Sequence, residues 1–140
     1  MRRLIGNPKH GPNLRGSLKG VTVVQAAWRP SPGRHNIWEL MLHCAYWKYK
    51  VRRRLTGEEP GTFVLKGSNF FARPGDEGLP EGAWKKDLAI LFDEHQKLKN
   101  ALAGIVKKNP DERALHMIRG IAAHDLYHAG QIRMLLRMQG

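Results

Sequence analysis

His124 and His128 stand four residues apart in the stretch Gly120-Ile-Ala-Ala-His124-Asp-Leu-Tyr-His128. In an α-helix that spacing puts two side chains over one patch of surface with Cβ atoms about 6 Å apart, close enough for both imidazoles to bind one cation. His43 offers a third ring. It shares a helical face with apolar Leu40 and Trp47, so it is directed inward. Three neutral imidazoles on two facing helices leave a coordination position open for water or substrate, the arrangement of a reactive centre. The competing reading is three core histidines, each satisfied by one hydrogen bond, since linear sequence does not show that the two helices meet. The single cysteine, Cys44, permits neither an internal disulfide nor a thiolate zinc site. Any metal here is held by His, Asp or Glu.

Several residues around these three invite a role. His95 is in phase with Leu88, Leu91, Leu98 and Leu102, which makes it a fourth ligand, a proton carrier or a hydrogen-bonded core histidine. Asp125 and Gln131 are candidates to accept the second N–H of a ligand imidazole, and Gln131, three residues beyond His128, is the better placed. An ordinary helix–helix hydrogen bond serves Gln131 equally well. Tyr127 could donate a proton near a metal, but it is offset by about 100° of helical rotation from His128 and reads rather as packing or interface. Cys44 follows His43 directly and reads as a small core residue, with a reactive thiol as the minority view. Trp38, Trp47, Trp84, Phe70 and Phe71 fill core or interface, and a sharper reading places the two phenylalanines at the mouth of the site. His10, His35 and His116 carry no readable role.

The elements that must position these groups are helical. Proline and glycine divide the chain into helical stretches, with no internal repeat and no strand-like alternation. Pro12 suits the first position of a short helix to about Lys19, with Gly20 as its cap, and Thr22 with Gln25 offers a capping box for one more turn. Asn36 and Glu39 form a second box, predicting a helix to about Leu55 that Gly57 stops. Glu58 to Gly82 reads as a long packed loop. A third long stretch is predicted from Ala83 or Trp84 to Lys107, on the stripe of Trp84, Leu88, Leu91, Leu98, Leu102 and Ile105. The last runs to Met138, either continuous from Asp111 or broken near Gly120. The expected fold is all-α, one domain over residues 1–140.

Composition narrows the function classes. The 140 residues carry 24 Lys plus Arg against 12 Asp plus Glu, a net charge of +12. Residues 1–54 hold twelve of those cations and one acid, Glu39, so the amino-terminal part is the basic face. Arg52, Arg53 and Arg54 read most simply as a solvated helix end, and otherwise as a nucleic-acid or anionic-cofactor contact. No window approaches the roughly 18 consecutive apolar residues of a membrane span, and no apolar signal stretch opens the chain. The expected location is the cytoplasm.

The strings Asn36-Ile-Trp-Glu-Leu-Met-Leu-His43-Cys-Ala-Tyr-Trp47 and Gly120-Ile-Ala-Ala-His124-Asp-Leu-Tyr-His128-Ala-Gly-Gln131-Ile, with Trp28-Arg-Pro30 upstream, resemble the DinB/YfiT-like superfamily. The resemblance covers most of the chain from about His10. It implies a four-helix bundle of up-down-down-up type and a divalent metal on His43, His124 and His128. This chain's own proline and glycine pattern predicts a short first helix and a long loop between helices two and three, and imidazole ligands suit Zn, Ni or Fe. Family members of known activity include thiol-dependent transferases and a mycothiol-dependent isomerase, and many relatives have no assigned reaction. Relatives have a longer first helix before Asn13, so either the start is truncated or a partner subunit completes the packing, and a homodimer is expected.

Three functions follow. The first is a metal-dependent enzyme that transfers a low-molecular-mass thiol to an electrophilic small-molecule substrate, or uses the open position for hydrolysis. The second is a basic helical module that contacts nucleic acid, which is not favoured because no recognition motif accompanies the charge. The third is a catalytically silent dimeric bundle whose histidines are structural.

Overall fold

A computed structural model describes residues 13–57, 62–75 and 78–140. The described residues form five helices and no strand: α1 (Leu14–Leu18), α2 (Val23–Ala27), α3 (Ile37–Thr56), α4 (Glu81–Val106) and α5 (Glu112–Met138). The described residues are therefore all-α, with three long helices preceded by two of little more than one turn.

Local chemistry sets most helix ends. Helix α1 begins at Leu14 with Asn13 as its cap, accepting the Gly16 N–H at 2.6 Å, and Pro12, expected at the first helical position, lies outside the described residues. Both capping boxes form: Thr22 with Gln25 opens α2, and Asn36 with Glu39 opens α3. Gly57 stops α3 in the left-handed region at φ 67°, where a Cβ is disfavoured. Helix α4 starts at Glu81, one turn ahead of its first apolar contact, because Pro80 presets the backbone while Glu81 and Gly82 are exposed and leave no mark on hydrophobic periodicity. Helix α5 is unbroken. Gly120 sits in it with open space where a Cβ would be, so it interrupts neither the ladder nor the packing.

Helix α3 is the axis of the molecule. Every residue from Ile37 to Ala45 is buried, which requires neighbours on all sides: α4 and α5 pack along it, α2 covers its start, and α1 lies on α5. The main core gathers around Trp38 and Trp84, whose rings meet edge to face at 5.6 Å. A smaller cluster of Val51, Leu98, Leu102, Ile118 and Ile121 closes the far end.

The buried stripe of α4 is not purely apolar. Asp87 and Glu94 lie on it with Trp84, Leu91, Leu98 and Leu102, and both carboxylates are paired. Asp87 accepts from Trp38 Nε1 at 2.7 Å and Arg73 Nε at 2.8 Å, and Glu94 accepts from Arg52 at 3.2 Å. Arg52 and Arg53 are thus not merely a solvated helix end: Arg53 donates to the Tyr49 hydroxyl at 2.6 Å, and of the three arginines only Arg54 is exposed.

The segment between α3 and α4 has no helix or strand among its described residues. Its side chains and backbone hold it down instead. Phe63 and Phe71 are buried against Tyr46. At its carboxyl end, the Arg73 N–H donates to Glu39 at 2.9 Å, while its carbonyl accepts from Arg29 at 2.7 Å and Asn36 at 2.9 Å. Glu39 also takes both Arg29 nitrogens, at 2.5 and 2.9 Å. Burial alone would raise the Glu39 carboxyl, but the Arg29 guanidinium and the N–H groups of Arg73 and Asn36 outweigh it and hold the pKa at about 2.

Candidate metal centre

Helix α3 delivers His43 and α5 delivers His124 and His128 to one point. Their ring nitrogens include a set lying within 4.8 Å of one another. Nε2 of His43 and Nε2 of His124 are 3.0 Å apart, and the His128 ring centroid is 4.7 Å from that of His43 and 4.4 Å from that of His124.

Two of the three rings have their tautomer set by neighbours. His43 Nδ1–H donates to the Asn69 carbonyl at 3.0 Å, and His128 Nδ1–H donates to Oε1 of Gln131 at 2.5 Å. Each therefore keeps its lone pair on Nε2. Burial pushes all three imidazoles towards the neutral form, His124 to about 4, with the hydrogen bonds that His43 and His128 donate to Asn69 and Gln131 partly opposing it.

This donor set fits a divalent cation. Two nitrogens bound tetrahedrally at about 2.0–2.1 Å lie roughly 3.3 Å apart, close to the separation of the His43 and His124 nitrogens. Neutral rings with lone pairs converging at that distance repel unless a proton or a cation stands between them. The remaining nitrogen, His124 Nδ1, is buried without a hydrogen-bond partner among the described residues.

Aromatic rings enclose the histidines. Phe70 is stacked between His43, at 4.2 Å and 9°, and His35, at 3.9 Å and 5°. Trp47 presents an edge to His43 and His124 and donates Nε1–H to Asn69 Oδ1 at 2.8 Å. Asn69 adopts φ 68°, a conformation asparagine tolerates better than most residues. Asn69 thus serves His43 through its carbonyl and Trp47 through its side chain.

The supporting residues divide. Gln131 meets His128 as anticipated. Asp125 turns instead to Lys48, which is buried and pairs with its Oδ2, and its Oδ1 has no partner among the described residues. His95 does not join the three histidines but lines a neighbouring cavity. Cys44 is fully buried, and burial pushes its thiol pKa well up, as befits a core residue and not a nucleophile. Of the two phenylalanines, Phe70 borders the histidines and Phe71 belongs to the core. Tyr127 is exposed, with its ring 5.1 Å from His128. His116 is exposed, and His10 lies outside the described residues. Asn69, His35 and Lys48 were not anticipated. Only the Gly67-Ser68-Asn69 turn composition marked Asn69, and it carries no sign of a partner on α3.

A family model of the DinB superfamily matches residues 9–132, and the chain belongs to that superfamily. Searches of curated proteins and of solved structures returned no match. No helix among the described residues is long and apolar enough to cross a membrane.

Proposed function

We propose that the protein is a divalent-metal-dependent enzyme in which His43, His124 and His128 hold the cation and one coordination position stays open. The observation that supports this most directly is the 3.0 Å approach of the His43 and His124 nitrogens, with His43 and His128 each held in the tautomer that leaves Nε2 free. A bound cation supplies Lewis-acid charge, which lowers the pKa of a thiol or water brought to it. The chain's own contribution is positional: Asn69 and Gln131 orient two rings, while Phe70 and Trp47 restrict water around them. The reaction in this reading is transfer of a low-molecular-mass thiol to an electrophilic substrate, and the metal is Zn, Ni or Fe.

The complete fold in this reading is one four-helix bundle domain of up-down-down-up type over residues 1–140, with a short first helix. A second copy is the partner. Leu126, Tyr127, Met134 and Met138 expose half or more of their surface along α5, an apolar strip that a dimer interface would cover. The location is the cytoplasm.

Metal analysis of protein purified without chelator or polyhistidine tag tests the reading. About one divalent ion per chain is expected, lost on His124→Ala with His128→Ala. Stoichiometric metal retained by the double variant, or none in the parent protein, removes the site and favours the silent bundle.

A further inference from the structure

A second concavity is lined by residues of both α3 and α5. Helices α1, α3, α4 and α5 enclose a cavity of about 740 Å³ that none of His43, His124 and His128 lines. Its walls carry five cationic side chains and one carboxylate, and that carboxylate, Asp125, is already paired with Lys48. The other four cations are Arg15 and Lys19 at one wall, Lys99 from α4 and Arg133 from α5. None of these four has a carboxylate partner among the described residues. Folding has therefore brought like charges around one concavity and left them without an internal counter-ion.

The floor is apolar. Leu91 is buried, and Phe92 is half-buried beneath the Arg15 guanidinium, 4.9 Å from its ring centroid. His95 faces the same space without a hydrogen-bond partner among the described residues, and burial together with Lys48, Lys99 and Arg15 pushes its pKa down to about 4. A concave site with a low-dielectric floor and one sign of charge on its walls concentrates counter-ions, and arginine and lysine pair strongly with phosphate and carboxylate oxygens.

We propose that this cavity binds a small organic polyanion, one that presents phosphate or carboxylate groups to Arg15, Lys19, Lys99 and Arg133 and lays an apolar body on Leu91 and Phe92. The site does not depend on a cation at the histidines, so it stands or falls separately from the metal reading.

Calorimetric titration of the full chain, at fixed ionic strength and in the presence of a chelator, tests it with three probes: phenyl phosphate, inorganic phosphate and citrate. Phenyl phosphate is expected to bind about tenfold more tightly than inorganic phosphate, since its ring buries apolar surface. Citrate distinguishes a carboxylate source from a phosphate source, and tighter binding of either organic anion than of inorganic phosphate supports the site. Lys99→Ala with Arg133→Ala, both at exposed positions, should weaken the better probe at least tenfold, while Lys85→Ala with Lys108→Ala should leave it unchanged. The His95 ring resonance should shift on saturation and that of exposed His116 should not. His124→Ala should bind as the parent does. Equal losses in the two double variants, an unmoved His95 resonance, or no binding by phenyl phosphate or citrate overturns the proposal. So does binding of duplex DNA that phenyl phosphate fails to displace from Arg133 and Lys99, which would assign these charges to a nucleic-acid backbone.

Discussion

His128 donates its Nδ1 proton to Oε1 of Gln131, three residues along α5, at 2.5 Å. The bond fixes which nitrogen faces His43 and His124 and keeps the ring from rotating. Gln131→Leu should lower metal affinity by about 10- to 100-fold, the usual effect of removing such a partner, while Gln131→Glu should retain or strengthen binding. Competition against a chromophoric chelator measures both.

Asn69 does for His43 what Gln131 does for His128, but through its backbone. At φ 68° a β-branched residue is strained, so Asn69→Val should destabilise the segment by about 1–3 kcal/mol and weaken metal binding with it. Asn69→Gly keeps the backbone free to adopt this conformation and loses only the Trp47 hydrogen bond. It should bind metal better than the valine variant in the same chelator assay. Equal affinities would separate the carbonyl from the site.

Two histidines make stability fall with acid in metal-free protein. His95 and His124 have folded pKa values of about 4, against an ordinary 6.5. Between those values the unfolded chain takes up protons that the folded chain refuses, so stability is complete above pH 6.5 and lost as pH falls towards 4. Near pH 5 unfolding should take up roughly two protons from this pair. Urea denaturation at pH 7, 6 and 5 reads the slope, and His95→Gln should reduce it by less than half, because His43 and His128, also pushed down by burial, keep contributing with His124.

Glu39 acts in a lower window. Its folded pKa of about 2 lies below the ordinary 4.5, so its contribution is whole above pH 4.5 and disappears as pH falls towards 2. Glu39→Gln at neutral pH leaves Arg29 without its carboxylate and loosens Arg73, and should cost about 3 kcal/mol in denaturant unfolding. A loss below 1 kcal/mol would mean that water replaces the carboxylate at no cost.

The exposed strip on α5 yields a prediction about assembly. Met134 is 64% exposed, so Met134→Glu should leave the monomer folded by circular dichroism and shift the mass seen by light scattering from dimer to monomer. A parent protein that is monomeric at micromolar concentration refutes the dimer.

What could be read from the chain was what is local. Asn36 with Glu39, Thr22 with Gln25 and Gly57 each act within a turn, and all appear as their residue types require. The four-residue spacing of His124 and His128 is local too, and the inward phase of His43 followed from its apolar neighbours. What escaped depends on partners far apart in sequence. Asp87 and Glu94 interrupt an apolar stripe, and only Arg73 and Arg52, folded against them, make their burial tolerable. His95 has the right phase but the wrong side of the interior, because helical phase defines a direction and not a neighbour. Asp125 illustrates the same point, turning from the adjacent histidine to Lys48.

The connection carrying Asn69 and Phe70 is tied down at Arg73 yet contains no helix or strand among its described residues. The imidazoles are delivered by rigid rods, while their immediate company is furnished by a strap whose composition those rods do not dictate. Exchanging residues in that strap offers a route to new selectivity in which the helices, and the three rings they bring, are inherited intact.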